Sequence, residues 1–317
     1  MMMLPPRTVG ARPDPDPGRS GRRSRRTRHR WCLPVAVVLA LPLVLSAPAD
    51  AATVKVALTA RHRMVTLLPG VPGLKFQAWT FNGRIPGPVV RARVGDTIEI
   101  TLRNADPMHD HSVDFHASEV NPMAVMAAVK PGRTKTISFI AHRAGVFLYH
   151  CGTGPVLQHV GMGMYGMVIV DPPTPRPPAQ EIMLVQSEFY GHVRKHVLNG
   201  TLKDMLTRQP AYTAFNGGPF RYMNTPINVS VGRPVRIYLV DAGPSLGSAF
   251  HIVGEIFDAV QPDGALPSLR NISSTWYVPS GGGAVFEVTF DQAGSYTFLT
   301  HELGVASLGA IGRFVAG

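Results

Sequence analysis

From Thr53 onward, apolar and polar residues alternate one by one in short runs, and this period of two constrains the fold more than any other feature. Val54, Val56 and Leu58 alternate with Lys55, Ala57 and Thr59. Ile98, Ile100 and Leu102 alternate with Thr97, Glu99 and Thr101, and Phe286, Val288 and Phe290 with Glu287 and Thr289. Such alternation gives a strand one face for a core and one for water. Gly, Pro and Asn turns separate the runs, and the whole chain holds 32 glycines and 29 prolines. That pattern argues for all-β, turn-rich sandwiches and against a helical bundle.

A Pro-rich segment, Asp171-Pro172-Pro173-Thr174-Pro175-Arg176-Pro177-Pro178, interrupts the runs near mid-chain. It reads as a stiff, extended linker. The halves look like repeats: Phe81-Asn82-Gly83 is matched by Phe215-Asn216-Gly217, and Ala144-Gly145-Val146-Phe147 by Ala293-Gly294-Ser295-Tyr296. The expectation is two sandwiches in tandem, residues 52–171 and 181–317, joined by a linker over 172–180. Arg194–Arg208 is read as holding a short helix, interrupted at Asn199-Gly200.

The net charge of +11 is unevenly spread, because residues 1–51 hold nine arginines against three aspartates. This basic run precedes the apolar stretch Leu33–Ala47 and the A-x-A pattern Ala49-Asp50-Ala51. Basic, apolar, then small is the order of a secretory signal. The charge therefore points to export rather than to nucleic acid, and Ser24-Arg25-Arg26 hints at the twin-arginine route. A chain starting near Ala52 has one cysteine, Cys151. A lone cysteine in an exported protein calls for an explanation other than a disulfide, and metal ligation is the first.

Cys151 has the surroundings that such a role needs. His159 follows it by eight residues and Met164 by thirteen, and His111 lies upstream. Two imidazoles, a thiolate and a weak thioether form the donor set of a blue-type (type 1) copper. Met162 and Met167 compete for the axial place and read as packing residues.

Strand parity suggests a second group. If Asp110–His116 is extended, His111, Val113 and Phe115 share the core face, while Ser112, Asp114 and His116 share the other. The same parity turns His150 away from the side to which Cys151 points. His116 and His150 can then meet outside the core with Asp114 beside them. Two imidazoles leave a copper under-ligated; the second half offers His251 and His301 as a third.

These stretches resemble the copper-containing nitrite reductases, two-cupredoxin-domain enzymes within the multicopper oxidase superfamily. The resemblance rests on His111-Ser-Val-Asp-Phe-His116, Phe147-Leu-Tyr-His-Cys151, His159-Val-Gly-Met-Gly-Met164-Tyr-Gly166, Phe250-His-Ile-Val-Gly-Glu-Ile-Phe-Asp258 and the segment around His301. It implies two cupredoxin-like Greek-key sandwiches, with type 1 copper on His111, Cys151, His159 and Met164. It implies type 2 copper on His116, His150 and His301, with Asp114 and His251 handling protons. By the same resemblance the chain works as a homotrimer, takes electrons from a cupredoxin or cytochrome, and reduces nitrite to nitric oxide in denitrification. The spacing from Cys151 to His159 matches the branch with the shorter ligand loop.

Two other readings are weighed against it. A laccase-like oxidase needs several paired His-x-His motifs, whereas His109-Asp110-His111 stands alone and Gly152 follows Cys151. A non-catalytic electron carrier would need only the first copper. His109, His142 and Glu302 have no assigned role, and His62, His192 and His196 read as surface residues, the last two a potential i, i+4 helical pair.

Overall fold

The computed structural model describes residues 51–69, 73–265, 268–271 and 273–317. Apart from Ala51, the expected leader lies outside the described residues, as do Cys32 and the twin-arginine motif. Among the described residues no helix is long and apolar enough to cross a membrane.

The alternating runs become strands, and these gather into four sheets. In the first half a six-stranded sheet runs in the order His192–Arg194, Val197–Asn199, Leu74–Phe81, Thr53–Leu68, Thr97–Asn104, Thr134–Ile140. Facing it is a four-stranded sheet of Val90–Arg93, Tyr165–Asp171, Gly145–His150 and Asp114–Phe115. Ile98, Ile100 and Leu102 point between them into a core with Phe76, Phe81, Phe115 and Phe139. The second half repeats the plan with a six-stranded and a five-stranded sheet around Phe215, Phe250, Phe286, Phe298 and Phe314. The architecture is two tandem cupredoxin-like β-sandwiches.

Tyr165–Asp171 departs from simple alternation, being buried on both faces through Val170. Val168 and Val170 enter the first core, while Tyr165, Met167 and Ile169 pack with Val185, Tyr238, Val240 and Val285 of the second half. A strand covered on both sides can be apolar throughout.

The repeats are equivalent in detail. Asn82 and Asn216 both adopt positive φ, at 58° and 52°, each followed by a glycine of positive φ. Asn tolerates this left-handed conformation better than most residues. Its side chain then ties two backbone positions of a neighbouring strand. Asn82 accepts from Thr59 N–H and donates to the Ala57 carbonyl, and Asn216 accepts from Val185 N–H and donates to the Met183 carbonyl.

Residues 172–179 carry no regular structure. The chain then does something parity could not foretell. The hairpin His192–Arg194/Val197–Asn199 crosses back and adds itself to the first half's sheet through Leu74–Phe81. The helix expected over 194–208 is therefore only Leu202–Leu206, capped by the reciprocal Thr201–Asp204 box. His192 and His196 are exposed hairpin residues and not a helical pair; His196 sits in the tight turn at φ 61°.

Candidate metal centres

The first candidate centre is built by one loop and one bridge. The loop leaves Gly145–His150, turns through Cys151, forms the short helix Val156–Gly161 that carries His159, and re-enters a strand after Met164. Backbone bonds close it: Cys151 N–H donates to Met164 O at 3.0 Å, and Met164 N–H to His159 O at 3.2 Å. His111 comes from the facing segment, pinned by reciprocal backbone bonds with Val129.

The donors converge. Cys151 Sγ lies 3.2 Å from His159 Nδ1 and 3.8 Å from His111 Nδ1, and the two Nδ1 atoms are 3.2 Å apart. His111, Cys151 and Met164 are fully buried and His159 nearly so. Met164 belongs to the same core cluster as Cys151, whereas Met167 belongs to the cluster between the halves. A Cβ on Gly200 would touch the Met162 sulfur, so that side chain reaches toward the crossing-back hairpin. Met162 and Met164 both share the core cluster of Cys151, and Met164 is the more deeply buried, at 0% against 6% exposure.

Burial sets the protonation of this site. It pushes the Cys151 thiol up, against backbone N–H groups of Ser112 and Thr153 that favour the thiolate. It holds His111 below the ordinary histidine value despite its bond to Asp106, and His159 down to about 4. The site thus favours neutral imidazoles, the metal-binding form, and a thiolate there calls for a compensating cation. His111 Nε2 donates to Asp106 Oδ2 at 2.8 Å, which leaves Nδ1 as the lone-pair nitrogen facing the sulfur. Soft sulfur beside two imidazoles in a closed apolar pocket fits copper.

The second candidate group sits on the other side of the same strand. Asp114 pairs in register with His150, and Phe115 with Tyr149. His116 Nε2 and His150 Nε2 are 3.1 Å apart, and Asp114 Oδ2 is 3.8 Å from His150 Nε2. Both Nδ1 atoms are tied to carbonyls: His116 donates to Gly281 O at 3.0 Å and His150 to Cys151 O at 2.9 Å. Each ring therefore presents its Nε2 lone pair to the other, an arrangement that repels unless a cation sits between them. Burial, reinforced by His116, keeps His150 below the ordinary histidine value although its bond to Cys151 O opposes this. The residues fit a copper that is reached from a cleft between the halves, lined by Leu157, Ala242 and Pro244 beside the two histidines.

His251 and His301 do not join this group within the chain. They face one another instead, ring centroids 5.5 Å apart at 77°. His251 Nδ1 donates to Ser274 O at 2.6 Å, with Thr275 Oγ1 at 3.2 Å, so its Nε2 points outward. His301 is exposed.

Parity is right for His111, Val113, Phe115, Asp114 and His116, but Ser112 is buried rather than outward. Only Asp114–Phe115 is regular strand, so Ser112 can turn its N–H onto Cys151 Sγ at 3.4 Å. His62 is no free surface residue: it stacks on Trp79 and approaches Asp106. Asp106 and Trp79, which sequence reasoning passed over, both touch first-centre ligands. A buried aspartate looks like any turn aspartate in a sequence, and only its neighbour Pro107 hints at a fixed turn.

Fold and donor sets together define a two-sandwich cupredoxin copper protein. Residues 68–175 match the multicopper oxidase family model. The chain is 38% identical over 250 residues to the copper-containing nitrite reductase of Neisseria meningitidis serogroup A, covering 76% of this chain and 64% of that protein. It is 34% identical over 257 residues to that of Alcaligenes xylosoxydans, covering 73% and 77%. The solved copper nitrite reductase of Nitrosomonas europaea superposes with a TM-score of 0.76 at 34% identity, covering 84% of this chain and 94% of that one. The chain belongs to the copper-containing nitrite reductase family. It spans 64% of the length of the Neisseria relative.

Proposed function

We propose that this chain reduces nitrite to nitric oxide, with electrons entering at Cys151 and nitrite bound beside His116 and His150. The observation that carries the reading is the paired Nε2 atoms of His116 and His150, 3.1 Å apart with both Nδ1 atoms committed to carbonyls, one residue from Cys151. Copper held by His111, Cys151, His159 and Met164 would supply one-electron storage, and copper on His116, His150 and His301 a Lewis acid for nitrite.

The chain's own residues account for the rest. One electron and two protons convert nitrite to nitric oxide and water. The covalent path from the Cys151 sulfur through one peptide bond to the His150 ring links the two donor sets. Asp114, half-buried beside His150, and His251, its Nδ1 tied to the Ser274 carbonyl, are the pair that would pass protons in this reading. Asp106 orients His111, and the Gly281 carbonyl orients His116.

His251 and His301 support a homotrimer, since they face each other away from Asp114 and so suit the site of a neighbouring copy. The leader composition supports export, and a small cupredoxin or a cytochrome suits the role of donor.

The experiment is electron paramagnetic resonance of the copper-loaded protein with and without nitrite, beside a nitric oxide electrode assay using a reduced dye. Two copper signals, the non-blue one moved by nitrite, with nitric oxide released, are expected. One copper per chain and no nitric oxide would leave an electron carrier instead.

A further inference from the structure

Asp106 collects more nitrogen than hydrogen bonding explains. Its carboxylate is fully buried. Oδ1 accepts backbone N–H groups of Met108 at 2.8 Å and His109 at 3.3 Å, which uses both its lone-pair directions. Oδ2 faces three ring nitrogens: His111 Nε2 at 2.8 Å, His62 Nε2 at 2.8 Å and His109 Nδ1 at 3.2 Å. One oxygen with two lone pairs cannot receive three N–H donors well. His62 Nε2 shows the consequence, being shielded from solvent and without a hydrogen-bond partner despite its closeness.

The surroundings hold this arrangement rigid. Asn104 donates to the His109 and Val129 carbonyls at 2.8 Å each and accepts from Asp106 N–H at 2.9 Å, which clamps the loop. His62 lies opposite Trp79 in the strand register, and its ring stacks on that indole at 7°. His109 packs on the same indole at 4.4 Å. Both side chains keep some exposure, 29% and 34%, although His62 Nε2 and the Asp106 carboxylate are themselves shielded.

We propose that His62 Nε2, His109 Nδ1 and Asp106 Oδ2 form a third cation site, for a divalent transition ion such as Zn²⁺, separate from the two centres described above. Two imidazoles and one carboxylate is a donor set such ions accept. A cation there resolves the crowding at Oδ2: one lone pair takes the His111 N–H and the other takes the ion. Because Asp106 is shared, occupancy also draws electron density from the carboxylate that supports His111, so the site is placed to be felt at the first centre.

The test is calorimetric titration of the copper-loaded protein with Zn²⁺ at neutral pH, with copper content and its paramagnetic signals followed in parallel. One further equivalent of Zn²⁺ per chain is expected, bound without copper loss and with a small shift of the visible copper band. His62→Gln and His109→Gln should each weaken it tenfold or more, while His142→Gln, on an exposed histidine elsewhere, leaves it unchanged. Absence of saturable binding to the unaltered protein would overturn the site. So would binding that survives both substitutions, or zinc uptake matched by copper release.

Discussion

Asp114 and His150 are direct register partners on adjacent strands, and this pairing sets the carboxylate 3.8 Å from His150 Nε2 while Cys151, the next residue, turns into the core. One β-pair thus separates a carboxylate facing the second candidate group from a buried thiol. Asp114→Asn keeps the shape and removes the carboxylate. Turnover of nitrite should fall about a hundredfold or more, the usual scale for a lost general acid. The visible absorption of copper at the first centre should stay, because none of the residues proposed to hold it changes. Unaltered turnover, measured with a nitric oxide electrode, would remove Asp114 from the proton path.

The three methionines of the ligand loop make a sharper test of the first centre. Met164 and Met162 both share the core cluster of Cys151, with Met162 also near Gly200, and Met167 packs between the halves. Leucine is close to methionine in volume, and such swaps usually cost less than about 1.5 kcal/mol. Met164→Leu should raise the reduction potential of a copper bound at the first centre and shift its visible band, since a thioether donor would be lost. Met162→Leu and Met167→Leu should leave both where they are. Spectroelectrochemistry on the three variants decides between them.

Much of this was legible in the chain because its governing rules are local. Alternation with period two yields Thr97–Asn104 and Gly283–Thr289, and parity alone parts His150 from Cys151. The Asn82 and Asn216 turns announce the repeat. What could not be read was set by distant partners. The apolar run Tyr165–Val170 gives no sign of which second layer covers it. The hairpin 192–199 docks onto a strand more than a hundred residues earlier. Asp106 gains its meaning only when His62, His109 and His111 arrive from three directions.

The contact between the halves tolerates no side chain at Gly145. Val146 N–H donates to Asp263 O at 2.9 Å, and a Cβ on Gly145 would drive into that same carbonyl oxygen. On the facing strand, a Cβ on Gly283 would come within 2.5 Å of Val146 O. Backbone meets backbone here, so neither side can yield by changing rotamer. Gly145→Ala should destabilise by about 1–3 kcal/mol, the range for overpacking a tight interior. Denaturant unfolding should report the loss, and a change below about 0.5 kcal/mol would mean the halves shift apart freely.

Asp241 gives the chain a pH dependence of stability with a defined sign. It is completely buried, accepting from Gln186 Nε2 at 3.0 Å and Gly243 N–H at 2.7 Å. Burial holds its carboxyl well above the ordinary value of 3.8, and nearby Glu188 and Glu302 push the same way against the Gly243 bond. Glu188, also buried, is raised too. An acid whose folded pKa is raised binds its proton more tightly folded than unfolded. Its contribution to stability is therefore greatest below the unfolded value and declines as pH climbs above it, by up to about 1.4 kcal/mol per pH unit, until the folded value is passed. Asp241→Asn cannot ionise and escapes this decline, although it places an amide donor against Gln186 and loses a constant amount at every pH. The melting temperature of the variant minus that of the natural chain should therefore rise as pH climbs above the ordinary carboxyl value of 3.8. A difference that stays flat or falls over that range would show that Asp241 is ionised in the folded chain.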